Sequence, residues 1–277
     1  MNDSNDPKPT PSSKHPAFFE RTTETNPPPP IISHTDPNRP LGTDPEEHAP
    51  IRGIVAAAEA ILRQPRRVVF QLRQQRQGRL ILALVVVALI CSVVYGLVVG
   101  TFSGGGQYWA APIKVAVGLL VSALICLPSL YIFSCLSGSQ ARLVEVFGLV
   151  TGLLALTTVL LIGFAPVAWV FSQSTQSVVI MGSLHLAFWV VASCFGLRFL
   201  HTGFGQMRNT RSEAGGAFQV WVVIFLLVAL QMTTALRPIV GTADRFLPAA
   251  TEKKFFLTYW VDCFKGESSG QTGTPSR

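Results

Sequence analysis

The first fifty residues show no regular hydrophobic pattern; a helical one follows, and then long runs with no polar face at all. Before residue 63, apolar Ile51, Ile54, Val55, Ala58, Ile61 and Leu62 recur at helical spacing, while Arg52, Glu59, Arg63 and Arg66 share the opposite side. This predicts an amphipathic helix, interrupted at Pro65, whose ring excludes a helical hydrogen bond. From residue 80 onward the period disappears, because almost every position is apolar. Five such runs cover about 80–100, 111–133, 146–171, 177–197 and 217–236. A helix rises about 1.5 Å per residue, so about twenty apolar residues cross a hydrocarbon core about 30 Å thick. The runs lack the alternation of barrel strands, and only helices or closed barrels satisfy every backbone group in lipid. The expected fold is therefore all-α, a polytopic integral membrane protein with five transmembrane helices.

Composition sharpens the division along the chain. Only 13% of the 277 residues are charged, against roughly a quarter in soluble domains. Residues 1–50 are polar and proline-rich, with "NPPPP" at Asn26–Pro30. That density of proline opposes helix and sheet and leaves little apolar surface to offset ordering, so a disordered cytoplasmic arm is expected. Proline runs also fit polyproline recognition by a protein partner. Segment 51–79 is expected to be a basic juxtamembrane segment, 80–236 the bundle, and 237–277 an outer tail. In that tail, Arg237, Phe255, Phe256, Tyr259 and Trp260 suit an interfacial anchor, because amphipathic rings settle among headgroups.

Charge then orients the bundle. Arg52, Arg63, Arg66, Arg67, Arg73, Arg76 and Arg79 precede the first run; Arg142 lies in the second connection, and Arg198, Arg208 and Arg211 at or within the fourth. The first and third connections carry no Lys or Arg. Cytoplasmic loops retain positive charge, so the amino terminus is expected inside and the carboxyl terminus outside. The seven arginines of 51–79 exceed what orientation needs and suit anionic headgroups at the cytoplasmic face. Nucleic-acid binding would bring interleaved aromatics or a recognisable fold, whereas only Phe70 is available here. No secretory signal is expected at the start, which lacks a positive segment followed by an apolar core.

Candidate chemistry inside the membrane is sparse. His185 and Gln231 are the deep polar candidates, with Lys114 and Glu145 near helix ends. Lys114 is expected to snorkel outward and Glu145 to pair with Arg142. His185 is expected to hydrogen-bond Ser183, Gln231 or a threonine, as interhelical glue. No P-loop, HExxH, acidic pair or CxxC is present, so neither an enzyme, a cofactor nor a metal site is expected. Gly96 and Gly100, Gly148 and Gly152, and Ala192 and Gly196 are pairs of small residues on single helix faces. Such pairs allow close helix packing within one bundle or in a homo-oligomer.

The order of these parts resembles the Yip1 family and its bacterial relatives. The resemblance covers roughly residues 58–236 and rests on the aliphatic–proline–basic approach "AILRQPRRVVFQLR", the five closely spaced runs and the proline-rich arm. It implies a five-span membrane protein without catalysis, in a family whose eukaryotic members recruit small GTPases and shape transport membranes. The expectation is thus a non-enzymatic scaffold or adaptor that gathers protein partners at a membrane. The alternative is a small-solute or ion transporter with a polar site at His185 and Gln231. Cysteine use and the start of the sequence fit a bacterial inner membrane, with a eukaryotic internal membrane as the alternative.

Overall fold

The computed structural model describes residues 41–74, 77–103, 107–136, 141–175, 177–207, 215–235 and 261. The chain divides into two units, Met1–Arg39 and Pro40–Arg277, and the described residues all belong to the second. The expected arm up to residue 40, Arg76, and the tail residues Arg237, Phe255, Phe256, Tyr259 and Trp260 lie outside them.

Among the described residues the regular elements are all α-helices. Three are short: α1 (Pro45–His48), α2 (Ile54–Arg63) and α3 (Pro65–Leu72). The break that Pro65 predicts falls at Gln64, with Pro65 as the first residue of α3, where its missing N–H costs nothing. The long helices are α4 (Gly78–Ser103), α5 (Gln107–Leu136), α6 (Leu143–Ser174) and α7 (Val178–Met207), followed by α8 (Gly215–Ala235). α4 to α7 are each long and apolar enough to cross a membrane. In α8 the described apolar stretch is shorter, Gln219–Met232.

Each of the four long helices outruns its apolar run, because helix continues wherever backbone bonds can close, whatever the side chains. The difference is largest in α7, expected to end near Leu197 but continuing to Met207. α5 and α6 also continue unbroken through Pro128 and Pro166.

α6 is the central helix. Of its apolar stretch 72% is enclosed by protein, against 39% for α4, 28% for α5 and 33% for α7. The pairings run α8 on α5, α5 on α4, α4 on α6 and α6 on α7, a row of helices curled around a shared core. Leu84, Leu130, Leu149, Leu200 and Trp221 are fully buried within it.

Glycines set how closely the helices approach. A methyl carbon added at Gly152 would meet the Phe199 ring at 2.6 Å, one at Gly196 the Thr157 Oγ1 at 2.5 Å, and one at Gly203 Leu149 at 2.6 Å. These three pairings run in opposite chain directions, so α6 and α7 are antiparallel. Gly148 faces Leu72 and Ile81, which brings the starts of α4 and α6 together. Arg79 and Arg142 therefore mark one end of the bundle, and the end of α7 returns to it.

Two of the three short helices, α2 and α3, are part of this core. Ala57, Ala60 and Ile61 of α2, with Val68, Val69 and Leu72 of α3, are buried against α4 and α6. The expected apolar side of α2 is thus divided. Ile61 is buried, but Ile54, Val55 and Leu62 are 43%, 81% and 45% exposed. Small Ala57 and Ala60 let α2 approach the bundle closely, which turns the bulkier aliphatic residues outward. Residues 41–50, placed in the arm by composition, fold onto α3. Glu47 is buried, accepts from Gly42 N at 2.5 Å and pairs with Arg66 Nε at 3.1 Å. Gly42 adopts φ +91°, a left-handed conformation, and a β-carbon added there would lie 2.9 Å from the Phe70 ring, so backbone and packing both favour glycine.

Candidate functional site

The arginines that the sequence assigns to a lipid surface divide into two groups. Arg66, Arg67 and Arg73 are used within the fold. Arg66 pairs with buried Glu47; Arg67 donates to Ala49 O at 2.9 Å and Gln64 Oε1 at 2.8 Å. Arg73 Nη1 donates to Gln206 O at 3.3 Å and so ties α3 to the end of α7. Gln71 strengthens instead the joint between α3 and the segment before α2, donating to Ala49 O and accepting from Ile51 N at 3.1 Å. Arg52 and Arg79 are exposed, and exposed Arg63 forms an ion pair with Glu59 at 2.9 Å. Such an exposed pair contributes little to stability, whereas the Arg66–Glu47 pair is largely shielded and breaking it leaves a buried charge. The result is a basic cap of three helices, clamped to the bundle, with Ile54, Val55 and Leu62 as an aliphatic ridge beside Arg52, Glu59 and Arg63.

His185 lies 91% buried on α7. Its Nδ1 is 2.7 Å from the Tyr95 hydroxyl of α4, and the two rings meet edge to face, centroids 5.6 Å apart. The partner is thus Tyr95 rather than Ser183, Gln231 or a threonine. The opposite ring nitrogen, Nε2, is buried with no hydrogen-bond partner. Leaving such a group unsatisfied costs about 1–3 kcal/mol. A signal for this pair exists in the sequence. Tyr95 lies eight residues before the end of α4 and His185 seven after the start of α7, about the same depth on antiparallel helices. The rotation of each helix, which decides whether they meet, is not written there. Gln231, the other deep candidate, is half-buried on α8, whose main partner is α5, whereas α7 packs on α6.

Two further residues differ from expectation. Lys114 is 2% exposed rather than snorkelling, because its face of α5, with Ala110 and Ala111, closes against α4 at Gly96. Glu145 accepts from the backbone N of Arg142 at 3.1 Å, capping α6 from within its first turn. Of the small-residue pairs, Gly96 abuts Pro112, Gly148 abuts Leu72, Gly152 abuts Phe199 and Gly196 abuts Thr157; Gly100 and Ala192 are also buried.

Trp221 carried no sequence signal beyond its ring. It is fully buried, stacks on Phe225, and its Nε1 donates to Cys126 O at 3.1 Å. That carbonyl also accepts from Ser129 Oγ at 2.8 Å. A buried indole N–H requires such an acceptor, and here it fixes α8 to α5. Among the described residues no cluster of His, Cys, Asp or Glu could hold a metal ion.

Four apolar helices of membrane-crossing length, with aliphatic and aromatic side chains on their outer flanks, define a membrane-embedded helical protein. No protein-family model, curated protein or solved structure matches the chain.

Proposed function

We propose that the chain is a five-span integral membrane scaffold, similar in plan to the Yip1 family, that holds protein partners at a membrane surface without catalysing a reaction. α8 serves as the fifth span: the helix is 21 residues long, enough for a hydrocarbon core. The basic end faces the cytoplasm, as the positive-inside rule requires, and a bacterial inner membrane is the expected setting.

The observation that carries this reading is the clamped cap. A loose juxtamembrane linker would leave the arm free to wander. Here α2 and α3 contribute Ile61, Val68 and Leu72 to the bundle core, so the segment that precedes the first span is a fixed platform. Arg52 and Arg63 on that platform, and Arg79 at the start of α4, remain exposed for anionic headgroups.

The test is a crosslinking pull-down from native membranes, comparing the full chain with a version lacking residues 1–39, which keeps the Glu47–Arg66 joint intact. A partner captured by the full chain and lost on deletion supports the scaffold. The same set of chains from both versions, or none from either, refutes it.

One observation favours a second reading. The buried Tyr95–His185 pair, with Nε2 unsatisfied, is the kind of intramembrane polar group that small-solute or ion transporters use. Flux into proteoliposomes that is abolished by His185→Ala, with Gln231→Ala as the companion variant, would favour transport over scaffolding.

A further inference from the structure

α7 and α8 do not close against each other. Between them lies a groove of about 750 Å³, its walls formed by Phe195 of α7 and Val222 and Val223 of α8. Three polar side chains line the same groove: Arg198 and His201 from α7, and Gln219 from α8. Arg198 and His201 are three residues apart on one helix, hence on one face, and both are exposed. Among the described residues lining the groove, none is acidic.

The position of Arg198 gives the groove its meaning. It lies nine residues before the end of α7 at Met207, about 13 Å along the helix axis. It therefore projects from the flank of an apolar helix near the boundary between headgroups and acyl chains. A guanidinium there is poorly solvated and draws in an anion, and its planar fork matches phosphate oxygens in a bidentate fashion. The aliphatic and aromatic walls beside it match hydrocarbon. A cationic, donor-rich end joined to an apolar slot between two membrane helices is complementary to one kind of molecule, an acidic lipid.

We propose that the α7–α8 groove binds an anionic glycerophospholipid, with the phosphate held by Arg198, His201 and Gln219 and one acyl chain lying along Phe195, Val222 and Val223. The site rests on the reading of α7 and α8 as membrane helices, and it is distinct from the basic cap, which packs on α4, α6 and the end of α7. The lipid acts as an extra wall that completes the open row of helices and joins α8 to α7.

The test uses the full chain purified in mild detergent, with dioleoylphosphatidylglycerol or dioleoylphosphatidylcholine added and bound lipid counted by native mass spectrometry. The expected result is retention of the phosphatidylglycerol over the phosphatidylcholine by about tenfold, the size of one charge-assisted contact. Arg198→Gln should reduce it to the phosphatidylcholine level, whereas Arg142→Gln, at the start of α6, should leave it unchanged. Val223→Trp replaces an exposed residue, alters no charge and fills the groove, so it should also remove the bound lipid from a normally folded, monodisperse protein. Equal retention of the two lipids, or undiminished phosphatidylglycerol on Arg198→Gln or Val223→Trp, overturns the proposal. Displacement by inorganic phosphate overturns it in favour of a free-anion site. Extraction of the protein from native membranes by alkaline carbonate would refute the membrane reading itself, and the groove proposal with it.

Discussion

Gly96 and Gly163 both lie inside membrane helices, and the same substitution should have opposite effects at them. A methyl carbon added at Gly96 would lie 2.4 Å from Pro112 Cα and 2.9 Å from Pro112 N. Both are backbone atoms, so no side chain can swing away. Carbon atoms prefer about 3.5–4.0 Å, which means α4 and α5 must separate locally by about 1 Å. That retreat loosens the packing of neighbouring side chains as well, and overpacking of this kind costs about 1–3 kcal/mol. At Gly163 of α6 a methyl carbon meets nothing within 4 Å, so Gly163→Ala retains only the gain in helix propensity, up to about 1 kcal/mol. Unfolding by SDS titration in dodecylmaltoside micelles, followed by tryptophan fluorescence, measures both variants on one scale. The expected separation is about 2 kcal/mol or more, with Gly96→Ala less stable and Gly163→Ala equal to or more stable than the parent. If the two variants shift in the same direction by the same amount, the α4–α5 approach described here is wrong.

Three other expectations follow from single contacts. Trp221→Phe keeps the ring in the core but deprives Cys126 O of a donor; Ser129 Oγ still serves that carbonyl, so the same titration should show a loss of only about 1 kcal/mol, and Trp221→Ala about 3–5 kcal/mol. Tyr95→Phe strands His185 with neither ring nitrogen partnered and should destabilise by about 1–3 kcal/mol, whereas adding His185→Leu removes the stranded group and should recover most of that loss, a non-additivity readable in a double-mutant cycle. Arg66→Gln leaves Glu47 as a buried carboxylate without its cation. Residues 41–50 should then detach from α3 at a cost of about 3–5 kcal/mol, seen as a new protease-sensitive site there while the long helices stay protected; unchanged cleavage would show the pair to be dispensable.

The clearest gap between sequence and structure is at the end of α7. Hydropathy ended that span near Leu197 and left Arg198 at the edge of a connection. The helix in fact runs to Met207, which places Arg198 and His201 on its flank facing Gln219. Apolarity reports where lipid can be, but backbone hydrogen bonding determines where helix stops, and the two criteria differ by ten residues here. The amphipathic segment shows a related gap. Its spacing marks a helix and Pro65 marks the break. The buried side, however, is chosen by the small residues Ala57 and Ala60, whose low hydrophobicity gives them little weight in any apolar pattern.

The sequence alone determined the quantities that depend on one chain segment at a time. A run such as Leu80–Gly100 has no polar face and must be helical in lipid, whatever surrounds it. The sequence likewise determined that arginines cluster at one end of the runs and that the first fifty residues are rich in proline. Only the tertiary structure decided which helix lies in the middle, that Tyr95 meets His185, that Trp221 reaches Cys126, that Lys114 turns inward, and that α7 and α8 stand apart over a groove. The physical reason is common to all of these. A uniformly apolar helix carries no stripe to fix its rotation or choose its neighbour. Those choices pass to the few places where a glycine admits another backbone or a polar atom must find its partner, and each such place joins two distant parts of the chain.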